Sequence, residues 1–241
     1  MNASSKASIF PAEQRQVIET DGLKVYNSFM AGSYNQPNSM PFGSLTVLNE
    51  IILQGGKGIA ILPEENTLFI ILVMDGSLGY QDSAGDIILL EKGMVTSFFI
   101  KDNKAVLLHN PGSAGLSAFL QIGINAGMDF YASETALPSP VCYNNAGGLF
   151  ELFGSAIIHE RKPYKFFIGK FAGRQEAYHP LNEGGAVFVF VLQGAFEVQN
   201  RLLEAKDGLL IWSTGLIEME ALSEEAIILL IEQPFPYSLR D

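Results

Sequence analysis

A chain of 241 residues with 48% hydrophobic content, 24 glycines and 11 prolines suits many short strands joined by turns, and its 17% charged residues are too few for a disordered or coiled-coil protein. Fifteen basic against 26 acidic residues leave a net charge of −11; this repels a phosphate backbone, no basic cluster offsets it, and nucleic acid is not an expected partner. The lone cysteine, Cys142, cannot form an internal disulfide, no window nears the ~20 apolar residues that cross a bilayer, and the start MNASSKASIFPAEQRQ lacks a signal-peptide core, so a soluble cytoplasmic protein with no membrane attachment is expected.

In chain order, residues 1–20 read as a partly ordered polar arm, with one helical turn expected through Glu13 to Ile18. From Gly22 to Asn49 short apolar stretches alternate with Gly, Pro and Asn, the pattern of short strands and a long loop. Ile51 to Leu53 and Ile59 to Ile61 flank a hairpin-like turn at Gly55 to Gly58. That turn is no phosphate cradle, since neither GK[ST] nor a helix follows it. The apolar run Leu68 to Met74 is one strand, stopped by Asp75-Gly76, whose glycine tolerates the positive φ of a tight turn. Leu78 to Tyr80, Ile87 to Leu90, Val95 to Ile100, Ala105 to Leu108 and Leu116 to Ile124 continue strand after strand. Periodicity lapses from Asn125 to Asn145, where Pro138 and Pro140 bracket a serine, and this segment reads as a linker. A short helical turn is expected at Leu149 to Phe153, then strands at Tyr164 to Phe171, Val187 to Leu192, Phe196 to Val198, Leu209 to Trp212 and Ala226 to Ile231.

The grammar around Gly76 returns at Gly194, about 118 residues later, and a repeat of half the chain is one domain copied once. The expected class is therefore all-β, two tandem barrels: an N-terminal barrel with its arm over residues 1–125, a linker over 126–145 and a C-terminal barrel over 146–241.

Gly56, Leu62 and Glu64 before a strand ending at Gly76 have the skeleton of the first cupin motif, and Gly85 to Gly93 echoes the second. Phe29, Tyr34, Pro37-Asn38, Met40, Phe42 and Asn49, then Asn110-Pro111 with Gln121-Ile122, and Asp207-Gly208-Leu209 with Trp212 make the chain resemble the pirin family of bicupins, especially its bacterial quercetinase-like members. The likeness covers most of 22–124 and 185–234 and is weak across 126–184. It implies two cupin barrels of jelly-roll type and one metal in the first, held by His-x-His and His-x-Glu.

The first pair of the family's ligand positions falls here on Leu62 and Glu64, the second on Val106 and Leu108, and a further family glutamate on Leu68. Three of the four ligand positions are thus aliphatic. A transition metal needs three or four donors converging at about 2.0–2.3 Å, so no metal cofactor is expected. By strand alternation Leu62, Glu64 and Leu68 share one parity, as do Val106 and Leu108, and all five are expected to line one vestigial pocket in the first barrel. Glu64 there is either a desolvated carboxylate able to bind an amine or hydroxyl, or a solvated one.

His109 with Glu64 is the weaker alternative for a displaced ligand set, although a one-residue slip sends a strand side chain to the opposite face. His179 stands alone as a surface or hydrogen-bonded histidine, and His159 belongs to a charged turn. Ser155, Ser213 and Thr214 have no base beside them, which argues against a nucleophilic hydrolase. The expected function is a degenerate, non-catalytic bicupin that binds a small organic molecule in the first barrel or a protein partner. The alternative is a metal-dependent quercetin 2,3-dioxygenase with altered ligands. A purely structural interaction partner would show a packed first barrel and an apolar surface elsewhere.

Overall fold

The computed structural model describes residues 6–29, 43–62, 67–81, 85, 87–100, 105–125, 136–141, 147–152 and 164–234. They form strands and one 3-10 turn at Ala12–Gln14: β1 Lys6–Phe10, β2 Gln16–Thr20, β3 Leu23–Phe29, β4 Leu45–Gln54, β5 Gly58–Ile61, β6 Thr67–Asp75, β7 Ser77–Gln81, β8 Ile87–Glu91, β9 Met94–Ile100, β10 Val106–His109, β11 Leu116–Asn125 and β12 Ala136–Pro140. The later strands are β13 Leu149–Leu152, β14 Lys165–Phe171, β15 Glu176–Pro180, β16 Gly185–Gln193, β17 Phe196–Val198, β18 Arg201–Leu203, β19 Gly208–Trp212, β20 Leu216–Ala221 and β21 Ala226–Pro234. The fold is all-β, as two cupin barrels require. Among the described residues no helix is long and apolar enough to cross a membrane.

Two compact units result, Arg15–Val141 and a second built from Met1–Gln14 with Cys142–Asp241. In the first, the seven-stranded sheet β12-β9-β6-β11-β4-β3-β2 faces the four-stranded sheet β5-β10-β7-β8. Phe69, Ile71, Val73 and Phe119 of the large sheet meet Ile61, Leu78, Tyr80, Leu90 and Leu108 of the small one in a buried core. The second unit repeats the plan with β1-β19-β16-β21-β14-β13 over β15-β20-β17-β18. Val187, Val189, Val191, Ile228 and Leu230 there meet Phe196, Ile217 and Met219. Gly76 and Gly194 take φ of +70° and +77° where the chain leaves one sheet for the other, a bend that L side chains resist.

Five sequence expectations change. The arm belongs to the C-terminal barrel: β1 pairs with β19 from Lys6↔Trp212 to Phe10↔Gly208, and Phe10 packs edge-on against Phe188 at 5.5 Å. The segment through Glu13 to Ile18 is a 3-10 turn followed by a strand that pairs with β3, because backbone partners on a neighbouring strand outweigh a weak local preference. The linker 126–145 contains β12, which pairs with β9 and extends the first unit to Val141. Its prolines survive because β12 is an edge strand, where a missing N–H costs no ladder bond. Leu149–Leu152 is a strand paired with β14 rather than a helical turn. Gly55 to Gly58 is a passage between sheets and not a hairpin, since β4 and β5 belong to different sheets.

Candidate functional site

The first barrel's interior is set by which residues of each strand face the opposite sheet. On β5 and β6 the inward set is Ile59, Ile61, Phe69, Ile71 and Val73; on β10 it is Val106 and Leu108. Leu108 lies between Ile59 and Tyr80, its neighbours on β5 and β7, and is fully buried. Tyr80 stacks on Phe98 at 5.1 Å with rings 8° apart, and Phe98 touches Phe69 at 5.9 Å. Aromatic and branched side chains therefore fill the barrel where Val106 and Leu108 point. The inward polar groups on the large sheet, among the described residues, are uncharged: the hydroxyls of Thr67 and Thr96, in phase with Phe69 and Phe98, and the amides of Asn49 and Gln121, Asn49 donating from Nδ2 to Gln121 Oε1 at 3.3 Å. Asn49 Oδ1 is buried without a partner.

The vestigial pocket is only half assembled. Leu108 is inside the core and the half-buried Val106 packs against it. Leu62 is 77% exposed and follows the inward Ile61, so it belongs to the opposite parity. Leu68 is buried at 3% exposure, but it sits beside Phe69 on the other face of β6, against Phe99 and Ile124 in the ladder. On β5 and β6 the inward parity is the odd-numbered one, and this corrects the expectation that Leu62 and Leu68 share a pocket with the β10 pair. Glu64 lies outside the described residues, as do Cys142, Ser155 and His159.

His109 takes the outer face of β10, one residue out of phase with Leu108. Its ring lies over Gly79, where an added Cβ would come within 2.2 Å of Cε1, and Nδ1 is buried with no partner. The same outer face exposes Leu107, Ile87 and Leu89. Ser213 has φ of +60° in a turn, and the Thr214 hydroxyl donates to the Leu216 carbonyl at 3.0 Å.

The second barrel holds what sequence reasoning missed. Of the two expectations for His179, surface or hydrogen-bonded, the second holds, and the partner is what the sequence did not show: Nε2 is 3.0 Å from Glu232 Oε1, and both side chains are only 8% exposed. Lys165 Nζ is 4.0 Å from the other carboxylate oxygen, and the Phe167 ring sits 4.5 Å from the imidazole. β15 supplies the histidine on the inward face it shares with Ala177, and β21 supplies Glu232 in phase with the core residues Ile228 and Leu230. The available signal was that phase: a glutamate at the end of Ile-Ile-Leu-Leu-Ile, two residues beyond an inward leucine.

Residues 154–232 match the family model described as the quercetinase C-terminal cupin domain. The quercetin 2,3-dioxygenase of Escherichia coli strain K12 is 22% identical over 234 residues, covering 90% of this chain and 95% of that one. The crystal structure of the bacterial pirin YhhW from Escherichia coli in complex with nickel(II) superposes with a TM-score of 0.84 at 18% identity, over 95% of this chain and 99% of that one. A quercetin 2,3-dioxygenase from Acinetobacter baumannii gives 0.71 at 18% identity, over 97% and 88%.

The chain is an all-β bicupin similar to the bacterial pirins. In this bicupin the described residues do not fit the metal that its relatives imply. Val106 and Leu108 offer hydrocarbon, Leu62 faces solvent, and the unpartnered Asn49 oxygen is a neutral carbonyl rather than an imidazole or carboxylate. No group of three or more His, Cys, Asp or Glu among the described residues could hold an ion.

Proposed function

We propose that this pirin-like bicupin is a metal-free binding protein rather than an oxygenase. The observation that carries the reading is the placement of Val106 and Leu108, to which the pirin resemblance assigns the second ligand pair: they face the barrel interior, where Leu108 is buried with Ile61, Tyr80 and Phe98 and Val106 packs against them. Each such side chain contributes about 1.5–3 kcal/mol by leaving water. A core of this kind has exchanged coordination for packing.

A filled first barrel favours recognition on the outside. On the outer face of β5-β10-β7-β8 two rows run across the strands, Leu107, Gln81 and Ile87 in one and His109, Gly79 and Leu89 in the other. Leu107, Ile87 and Leu89 are exposed, and neighbouring exposed apolar residues of this kind suit a protein partner.

The test is to refold or express the protein with nickel(II) and with iron(II), measure bound metal per chain, and follow quercetin consumption. Substoichiometric metal and no turnover above the protein-free rate are expected. One tightly held ion per chain, with turnover that disappears in Glu64→Ala or His109→Ala, would instead establish a quercetin 2,3-dioxygenase with altered ligands.

A further inference from the structure

The two barrels of one chain serve as controls for each other. The 118-residue offset between Gly76 and Gly194 places His179 where the first barrel has Ile61. Ile61 pairs with Val106 on β10 as His179 pairs with Ile217 on β20. The same offset places Val187 on Phe69, so Glu232, which pairs with Val187, stands where Gly123 pairs with Phe69. One strand further, Lys165 pairs with Glu232 as Val47 pairs with Gly123. Ile61, Val47 and Gly123 in one barrel thus become His179, Lys165 and Glu232 in the other. The neighbouring row is exchanged in the opposite sense, Asn49 and Gln121 becoming Phe167 and Leu230. The first barrel does with isoleucine, valine and glycine at these places, so the fold does not demand the charged trio, and burying ionisable groups is costly unless they are paired.

We propose that this trio and Phe167 form a binding site in the second barrel for a small hydroxy carboxylic acid. With Glu232 ionised, His179 Nε2 carries a proton and donates it to Oε1, which fixes the ring. Among the described residues His179 has no other hydrogen-bond partner, leaving Nδ1 of a more than nine-tenths buried side chain uncommitted. A ligand hydroxyl satisfies that nitrogen in either protonation state, because a hydroxyl both donates and accepts. Lys165, with its side chain 47% exposed and only loosely held by Glu232 at 4.0 Å, is the cation for a carboxylate. Phe167 supplies the apolar wall. The inference is independent of the metal-free reading of the first barrel.

The experiment titrates lactate, 3-hydroxybutyrate and mandelate, each beside its counterpart without the hydroxyl, propionate, butyrate and phenylacetate, into protein with labelled histidines. The His179 ring resonance is assigned with His179→Gln. Saturable displacement of that resonance by at least one hydroxy acid is expected, with about tenfold weaker binding of its counterpart and about tenfold weaker binding to Lys165→Met. No saturable displacement by any of the six acids overturns the proposal. So does equal affinity with and without the hydroxyl, a comparison made on the unaltered protein that stays decisive if a variant fails to fold. Binding indifferent to Lys165→Met in a folded variant overturns it as well.

Discussion

His179 and Glu232 are each other's compensation, and this makes their removal asymmetric. Taking away either partner leaves a polar group inside an apolar barrel, at a cost of about 3–5 kcal/mol. Taking away both, as His179→Ile with Glu232→Leu, restores what the first barrel does with Ile61 and is expected to cost far less than the sum, with a coupling above about 1 kcal/mol in urea titrations. Leu108 presents the converse case. Leu108→Glu puts into the first barrel the glutamate that the pirin resemblance implies there, with Tyr80 and Ile59 flanking it. Without a metal to meet it the new carboxylate should lower stability by about 3–5 kcal/mol, and adding nickel(II) should not recover the loss. Recovery by nickel would show that donors outside β10 still converge there.

At the scale of elements, the arm β1 closes an edge that would otherwise be open. It pairs along the whole of β19, and Asp207 ties it down by accepting from the Ala12 N–H at 2.7 Å while also accepting from the Glu204 N–H at 2.9 Å. Removing residues 1–10 should expose the β19 edge, speed amide exchange across Gly208–Trp212 and promote self-association, whereas Asp207→Ala should raise exchange in β1 alone. Turn glycines differ by what surrounds them. Gly115, at φ +86° with open space around it, should lose about 1 kcal/mol on substitution by alanine. Gly76, at φ +70° with the Leu116 carbonyl 2.4 Å from where a Cβ would lie, should lose about twice that or more in thermal unfolding.

For the whole molecule, a ligand that binds only the folded state raises its stability by about 2.7 kcal/mol at a hundred times its dissociation constant. A metal-free first barrel therefore predicts an unfolding temperature unchanged by nickel(II) or iron(II), read by calorimetry after chelator treatment. The division of the chain into units also departs from sequence order. The described residues before Arg15, 6–14, complete the C-terminal barrel, so the arm's deletion should disturb the unit Cys142–Asp241 in exchange measurements and leave the Leu108 core intact.

Alternating apolar runs, the turn glycines and the half-chain repeat were enough to establish an all-β pair of barrels, because strand formation and turn chemistry depend on neighbours a few residues away. The aliphatic identity of Leu62, Val106 and Leu108 was equally legible. Tertiary structure alone decided which parity faces inward, since alternation says that residues alternate and not which set is buried; hence Leu62 and Leu68 left the pocket while Val106 and Leu108 stayed. It alone brought Lys165, His179 and Glu232 together, because three strands distant in sequence meet only through the register of the sheets.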